Sequence, residues 1–232
     1  MVNKLEALKF MLINQKFNIF IFVETWLNAR VLDFSILEDT HYTILRLDRA
    51  NTKGGGICVL INKNLNYIEI NKLHTKIVEI LVFELIDPSN SDKIRVIVIY
   101  RPPKNVNEND SLKFIDLLTQ YVGVPYTVLI CGDLNFPNIP WDNKITNAPL
   151  QKSESLFSEF LRQNEMVQKV RHPTRNSKIL DLLITNRRKA ITDINTLPPF
   201  GNGLHISDHE SIKFSLRFKP PIPCNNDQKI KN

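Results

Sequence analysis

Apolar residues recur along this chain in two rhythms. Leu5, Leu8 and Leu12, with Met11 beside them, return every three or four positions and predict an amphipathic helix over residues 2–16. Short runs rich in Val, Ile, Leu and Phe at 17–23, 42–47, 56–61, 77–85, 94–100, 126–131, 179–185 and 211–218 are bounded by turn-forming or charged residues and predict strands. Helical spacing returns at Leu112, Ile115, Leu118 and Thr119, and again at Leu156, Phe157, Phe160 and Leu161. Strands in hairpins, interleaved with a few helices, favour two packed mixed sheets flanked by helices over a purely parallel sheet. The expected fold class is therefore α/β.

Nothing in the pattern divides the chain. With 232 residues and ample apolar content, one domain is expected over residues 1–219, followed by an aperiodic, Pro-containing tail at 220–232. Thirty basic against twenty-four acidic residues give a net charge of +6, which suits a polyanionic partner such as DNA without requiring one. Cys58, Cys131 and Cys224 lack metal-ligand spacing, and two of them lie inside strand-like runs, where a thiol behaves as a small core hydrophobe. An intracellular setting follows as the simpler expectation. No apolar stretch approaches the roughly 20 residues of a membrane span, and the amino terminus lacks a signal-peptide pattern. Gly54-Gly55-Gly56 has no following Gly-Lys-Ser/Thr, so it reads as close backbone packing or a strand bend rather than a phosphate loop.

Polar groups gather at the ends of the strand-like runs: Glu24, Tyr100, Asp133 with Asn135, Asp181, and Asp208 with His209. Each has an ordinary explanation as a turn or loop residue. Their repeated placement points instead to a shared cleft. Asp133 and Asn135 stand two apart after the run at 126–131, a spacing that puts both side chains on one face of a continuing strand. A carboxylate there can take a proton from water, and the amide can donate a hydrogen bond without carrying charge. Asp181 is the one acid in Ile179-Leu180-Asp181-Leu182-Leu183-Ile184. A carboxylate in such a run needs a partner, and His209 is the candidate, its tautomer fixed by the acid.

Seven segments occur in a family order: Phe22-Val23-Glu24-Thr25-Trp26-Leu27, Gly54-Gly55-Gly56-Ile57, Tyr100-Arg101-Pro102-Pro103, Gly132-Asp133-Leu134-Asn135, His172-Pro173-Thr174, Leu180-Asp181-Leu182-Leu183-Ile184-Thr185-Asn186 and Ser207-Asp208-His209. Together they resemble the endonuclease domain of non-LTR retrotransposons of the jockey-like type, within the endonuclease/exonuclease/phosphatase superfamily. The resemblance implies a four-layer α/β sandwich and hydrolysis of a phosphodiester with Mg²⁺ or Mn²⁺. Glu24 looks like the metal ligand, with Asp208 near the metal or its waters. Asp133 looks like the group that orients or deprotonates the attacking water, Asn135 a donor to the phosphoryl oxygen, Tyr100 a phosphate contact, and His209, backed by Asp181, a donor to a phosphate oxygen. Arg101, Thr174 and Ser207 match substrate-binding positions. Arg171, Arg175 and Lys178 are further candidates for backbone phosphates.

The same resemblance raises two departures. Relatives carry a strand ending in an asparagine ahead of the first helix, and here that register falls upstream of Met1, so the sandwich is expected to lack its first family strand. The reverse transcriptase region that follows in such elements is absent from these 232 residues. Three readings therefore stand: a metal-dependent endonuclease that nicks target DNA for retrotransposition, an inactive remnant that at most binds nucleic acid, and a phosphatase on a small phosphoester. DNA is the expected partner, with no membrane. The expected location is intracellular and nuclear; Arg187-Arg188-Lys189 reads as a contact for backbone phosphates or, at least as readily, as a solvated charge run or an import signal.

Overall fold

The computed structural model describes residues 4–38, 40–49, 54–103, 107–141, 149–201 and 206–218. Along the chain run α1 (Leu5–Asn14), β1 (Ile19–Val23), α2 (Asp33–Leu37), β2 (Tyr42–Leu47), β3 (Ile57–Asn62), β4 (Asn66–His74), β5 (Glu79–Ile86), β6 (Lys93–Tyr100), α3 (Glu108–Val122), β7 (Thr127–Asp133), α4 (Lys152–Gln163), β8 (Val167–Gln168), β9 (Asp181–Thr185), β10 (Ile191–Leu197) and β11 (Ser211–Leu216). The expected tail at 220–232 lies outside the described residues.

Successive residues of a strand point to opposite faces, and in β3 that alternation separates the layers. Cys58 and Leu60 pack with Leu8 and Leu12 of α1, Ile36 of α2 and Phe20 of β1. Ile57, Val59 and Ile61 face the other way, into a core shared with β5, β6 and β7. Beyond those strands lie Phe114 and Leu118 of α3 and Phe157 and Phe160 of α4. Helices, sheet, sheet and helices thus form the four-layer α/β sandwich expected from the sequence.

The inner layers are a three-stranded antiparallel sheet, β1-β3-β2, and a six-stranded mixed sheet, β4-β5-β6-β7-β9-β8. β10 and β11 pair with each other. Among the described residues β1 pairs only with β3 and β11 only with β10. The hairpin lies beside the start of β1, because the Lys213 ammonium sits 5.4 Å from the Phe17 ring centroid. In the large sheet β6 and β7 run parallel with Tyr100 level with Asp133, while antiparallel β9 sets Asp181 opposite Asp133. Strand polarity alone therefore delivers three functional candidates to one end of one sheet.

Local chemistry sets several boundaries. Asn107 starts α3 by accepting the Asp110 amide on its side chain at 2.8 Å, and Gln151 with Glu154 closes a capping box on α4. The strand expected over 77–85 begins two residues later, because the Thr75 hydroxyl and backbone tie Thr75–Val78 into a turn. Both expected core thiols are buried, and burial pushes the Cys58 and Cys131 thiols up to about 12. No described helix is long and apolar enough to cross a membrane.

Candidate active site

Gly132 makes the first part of the site possible. Its φ is +124°, and a β-carbon there would stand 2.0 Å from the Ile99 carbonyl oxygen on the parallel neighbour. Only glycine fits that approach, which carries β7 to its end with Asp133 beside Tyr100.

Asp133 is buried. Its carboxyl is pushed up to about 7, first by burial and then by the negative charge of Asp181 opposite, while His209 and the Asn135 amide pull the other way. Asn135 follows in the left-handed region, φ 50°, with its N–H donating to Asp133 Oδ1 at 3.2 Å. One hydrogen of its side-chain amide goes to the Arg101 carbonyl at 2.8 Å. The side-chain amide also bonds the Asp133 carboxyl, so the two residues are held together by both main chain and side chain.

His209 and Asp181 meet as the sequence predicts, Nδ1 to Oδ2 at 2.7 Å. Burial by itself would lower the imidazole pKa. The hydrogen bond and charge of Asp181, helped by Asp133 and Asp208, outweigh it and leave the pKa raised, so the ring favours its protonated, donating form.

Glu24 arrives from the other sheet. The chain turns at the end of β1, with Glu24 at φ 55° and Trp26 at φ 57°. The Thr25 and Trp26 amides donate to the Gly56 and Gly55 carbonyls at 3.3 and 2.9 Å, so the glycine run is the close backbone packing that its composition suggests. Glu24 Oε1 accepts the Tyr100 hydroxyl at 3.1 Å, which joins the two sheets. Burial, then the Glu24 charge, holds the Tyr100 phenol well above its ordinary pKa. One chain of neighbours therefore runs Glu24, Tyr100, Asp133, Asp181, His209, with Asn135 beside Asp133.

The remaining candidates take different positions. Asp208 is exposed, and its Oδ2 meets Arg175 Nη2 at 2.5 Å. The Ser207 hydroxyl accepts the His209 N–H at 3.1 Å and so shapes the turn that carries the imidazole. Thr174 is fully buried, and its hydroxyl accepts the amides of Leu180 and Asp181 at 3.1 Å each, which fixes the start of β9. Arg101 is buried too. It donates to the carbonyls of Leu134 and Asn135 at 3.3 and 2.9 Å and lies 4.3 Å from the Phe136 ring centroid. Both brace the loop ends from inside rather than lining the cleft surface.

A supporting pair escaped the sequence reading. Glu79 is buried, receives the Gly56 amide at 2.5 Å and pairs with Arg49, whose guanidinium lies 5.8 Å from the Tyr100 ring centroid. The clue was the one that exposed Asp181: a lone acid in an apolar run, here Val78-Glu79-Ile80-Leu81.

The donor set fits a hydrated hard cation. Glu24 is exposed, and among the described residues it accepts only the Tyr100 hydroxyl, so the rest of its carboxylate is available to an ion. One or two carboxylates with room for waters suit Mg²⁺ or Mn²⁺. Among the described residues no group of three or more His, Cys, Asp or Glu is placed to enclose an ion, as a structural zinc site would need.

Comparison with known proteins adds the lineage. The endonuclease domain of TRAS1, a telomere-specific non-LTR retrotransposon, superposes with a TM-score of 0.68 at 14% identity, covering 95% of each chain. An AP endonuclease from Archaeoglobus fulgidus gives 0.67 at 13% identity over 92% of this chain and 96% of that one. An AP endonuclease from Leishmania major gives 0.65 at 15% identity over 92% and 82%. A search of curated protein sequences returned no significant match. These likenesses establish the endonuclease/exonuclease/phosphatase fold. A family model described as endonuclease-reverse transcriptase matches residues 94–213, more than half of the chain and the span that holds Tyr100, Asp133, Asp181 and His209, so the chain belongs to the endonuclease-reverse transcriptase family.

Proposed function

We propose that this chain is a metal-dependent DNA endonuclease domain that hydrolyses one phosphodiester bond and nicks target DNA for retrotransposition, in the nucleus and alongside a reverse transcriptase. The observation that carries this reading is the chain of contacts from Glu24 through Tyr100 and Asp133 to the Asp181–His209 pair.

Phosphodiester hydrolysis needs an activated water and a place for negative charge on the phosphoryl oxygens. Asp133, with a carboxyl near 7, is matched to accept a proton from water around neutral pH. Protonated His209, held by Asp181, donates from Nε2 to a phosphoryl oxygen. On phosphate binding, the Asn135 amide and the Tyr100 hydroxyl would exchange their bonds to Asp133 and Glu24 for bonds to other phosphoryl oxygens. Glu24 would hold Mg²⁺ or Mn²⁺, with Asp208 reaching its waters once it leaves Arg175, and a bound ion would supply further charge stabilisation at the phosphate. Arg175 and Lys178, on the loop before β9, are further candidates for contacts to backbone phosphates.

Incubating the protein with supercoiled plasmid and Mg²⁺ tests the proposal. Nicking by the parent chain that disappears in Asp133→Ala and in His209→Ala is the expected result. Equal nicking by those variants overturns the assignment, and release of phosphate from small phosphoesters without nicking selects a phosphatase. A second reading, a remnant that only binds nucleic acid, draws on the single pairing of β1 among the described residues. Salt-sensitive DNA binding with the plasmid left intact would select it.

A further inference from the structure

The chain has two tryptophans, and they are used in opposite ways. Trp141 is 8% exposed, packed edge-on against Phe157, with its indole N–H donating to the Phe136 carbonyl at 3.2 Å. Trp26 is 53% exposed. Burying an aromatic side chain of this size is among the larger single gains a core can make, and Trp26 forgoes much of it.

Its backbone is nevertheless held firmly. The residue sits in the left-handed region, φ 57°, between buried Thr25 and Leu27, and its amide is bonded to Gly55. Non-glycine residues occupy that region at a cost and are found there when neighbours over-determine them. The indole lies along Gly54, where an added β-carbon would stand 4.0 Å from its Cε2 and Nε1 and 3.9 Å from Arg49 Nη1. One edge of the ring lies beside the main chain at Gly54 and the Arg49 guanidinium, and about half of the residue is open to solvent. Trp26 also stands two residues past Glu24, at most about 7 Å along the chain. The indole is therefore rooted two residues from the carboxylate proposed to hold the ion, close in the chain to where a phosphate would sit.

We propose that Trp26 is a stacking platform for an unstacked nucleobase beside the scissile phosphate. The inference rests on the nuclease reading of the same cleft and adds a preference to it: DNA with a base free to leave its stack, whether in a single strand or beside a mismatch, is held more tightly than intact duplex. Base–aromatic stacking needs only a flat π-face, so the preference is for exposed bases and not for one sequence.

Fluorescence and anisotropy on the full chain test this. In EDTA, single-stranded or mismatched oligonucleotides should quench the parent protein's tryptophan emission, and the change should vanish in Trp26→Phe, whose remaining indole is buried Trp141. Trp26→Phe should bind a labelled oligonucleotide nearly as well as the parent, whereas Trp26→Leu should bind roughly 5- to 150-fold more weakly, with less loss on intact duplex and unchanged circular dichroism. Binding by Trp26→Leu equal to the parent, with emission unmoved by DNA, overturns the platform. Plasmid nicking in Mg²⁺ keeps the two claims apart. A parent that nicks while Trp26→Leu binds normally refutes only the platform, and a parent that is quenched by DNA but never nicks refutes only the nuclease.

Discussion

Asp133 and Asp181 face each other across the β7–β9 ladder as register partners, two carboxylates at the same end of one sheet. Their environments push them into separate roles. Asp181 is bound to His209, Oδ2 to Nδ1 at 2.7 Å. Asp133, more deeply buried and next to the Asp181 carboxylate, holds its proton up to about pH 7. An acid held by an imidazole and an acid that is reluctant to ionise, side by side, are what a site needs in order to fix one group and move a proton with another.

Replacing Asp133 by Asn should abolish nicking, by at least about 100-fold if the carboxylate is the base, and should also stabilise the protein above neutral pH. The sign follows from the raised carboxyl: its contribution favours the fold below the ordinary carboxylate range and is lost as pH rises through about 7. Asn stays neutral throughout. Thermal unfolding should show a larger gain for the variant at pH 8 than at pH 5, with roughly 2–4 °C for each kcal/mol recovered. Nicking by the parent should climb with pH up to the same range.

Asp181→Asn should lower the His209 pKa. With the carboxylate charge and its hydrogen bond gone, burial acts on the imidazole with less opposition, and burial lowers it. Following the ring protons of His209 by NMR from pH 5 to 9 gives the value directly. An unchanged midpoint would mean that the 2.7 Å contact does not set the protonation of the ring.

Glu79→Ala should destabilise the fold by about 3–5 kcal/mol, the range for leaving one partner of a buried ion pair alone. Glu79 is buried and holds both Arg49 and the Gly56 amide. A lower midpoint in urea with an unchanged slope is the expected curve. Glu79→Gln, which can still accept the Gly56 amide, should lose less.

Arg101→Ala should also cost stability while leaving the salt dependence of DNA binding as it was, because this guanidinium is spent on the Leu134 and Asn135 carbonyls and the Phe136 ring. A true phosphate contact behaves differently: its removal lowers the slope of log affinity against log salt by about 1. Arg175→Ala is the variant expected to show that change.

Most of the core was legible because its strands are apolar on both faces. The spans at 42–47 and 94–100 coincide with β2 and β6 to within a residue. What went unread lies at the margins. β4 is an outer strand with Ile68 and Ile70 largely exposed and a bulge between Glu69 and Asn71, so its side chains never settle into an apolar alternation. β8 has two residues, α2 has five, and β10 has polar positions along most of its length. Candidate site residues at strand ends were visible as polar interruptions of apolar runs. The bracing positions of Thr174 and Arg101 were not, since they depend on which way a side chain turns after the strand has ended.

The Tyr100–Glu24 hydrogen bond ties a side chain of the large sheet to one of the small sheet. A slip of one sheet over the other by less than the width of a water molecule would part them while every strand ladder stayed intact. Cutting should then be the first property to fail on mild heating or in dilute denaturant, well ahead of any change in secondary structure. On the nuclease reading proposed above, cutting would serve as a gauge of how the two sheets are seated against each other.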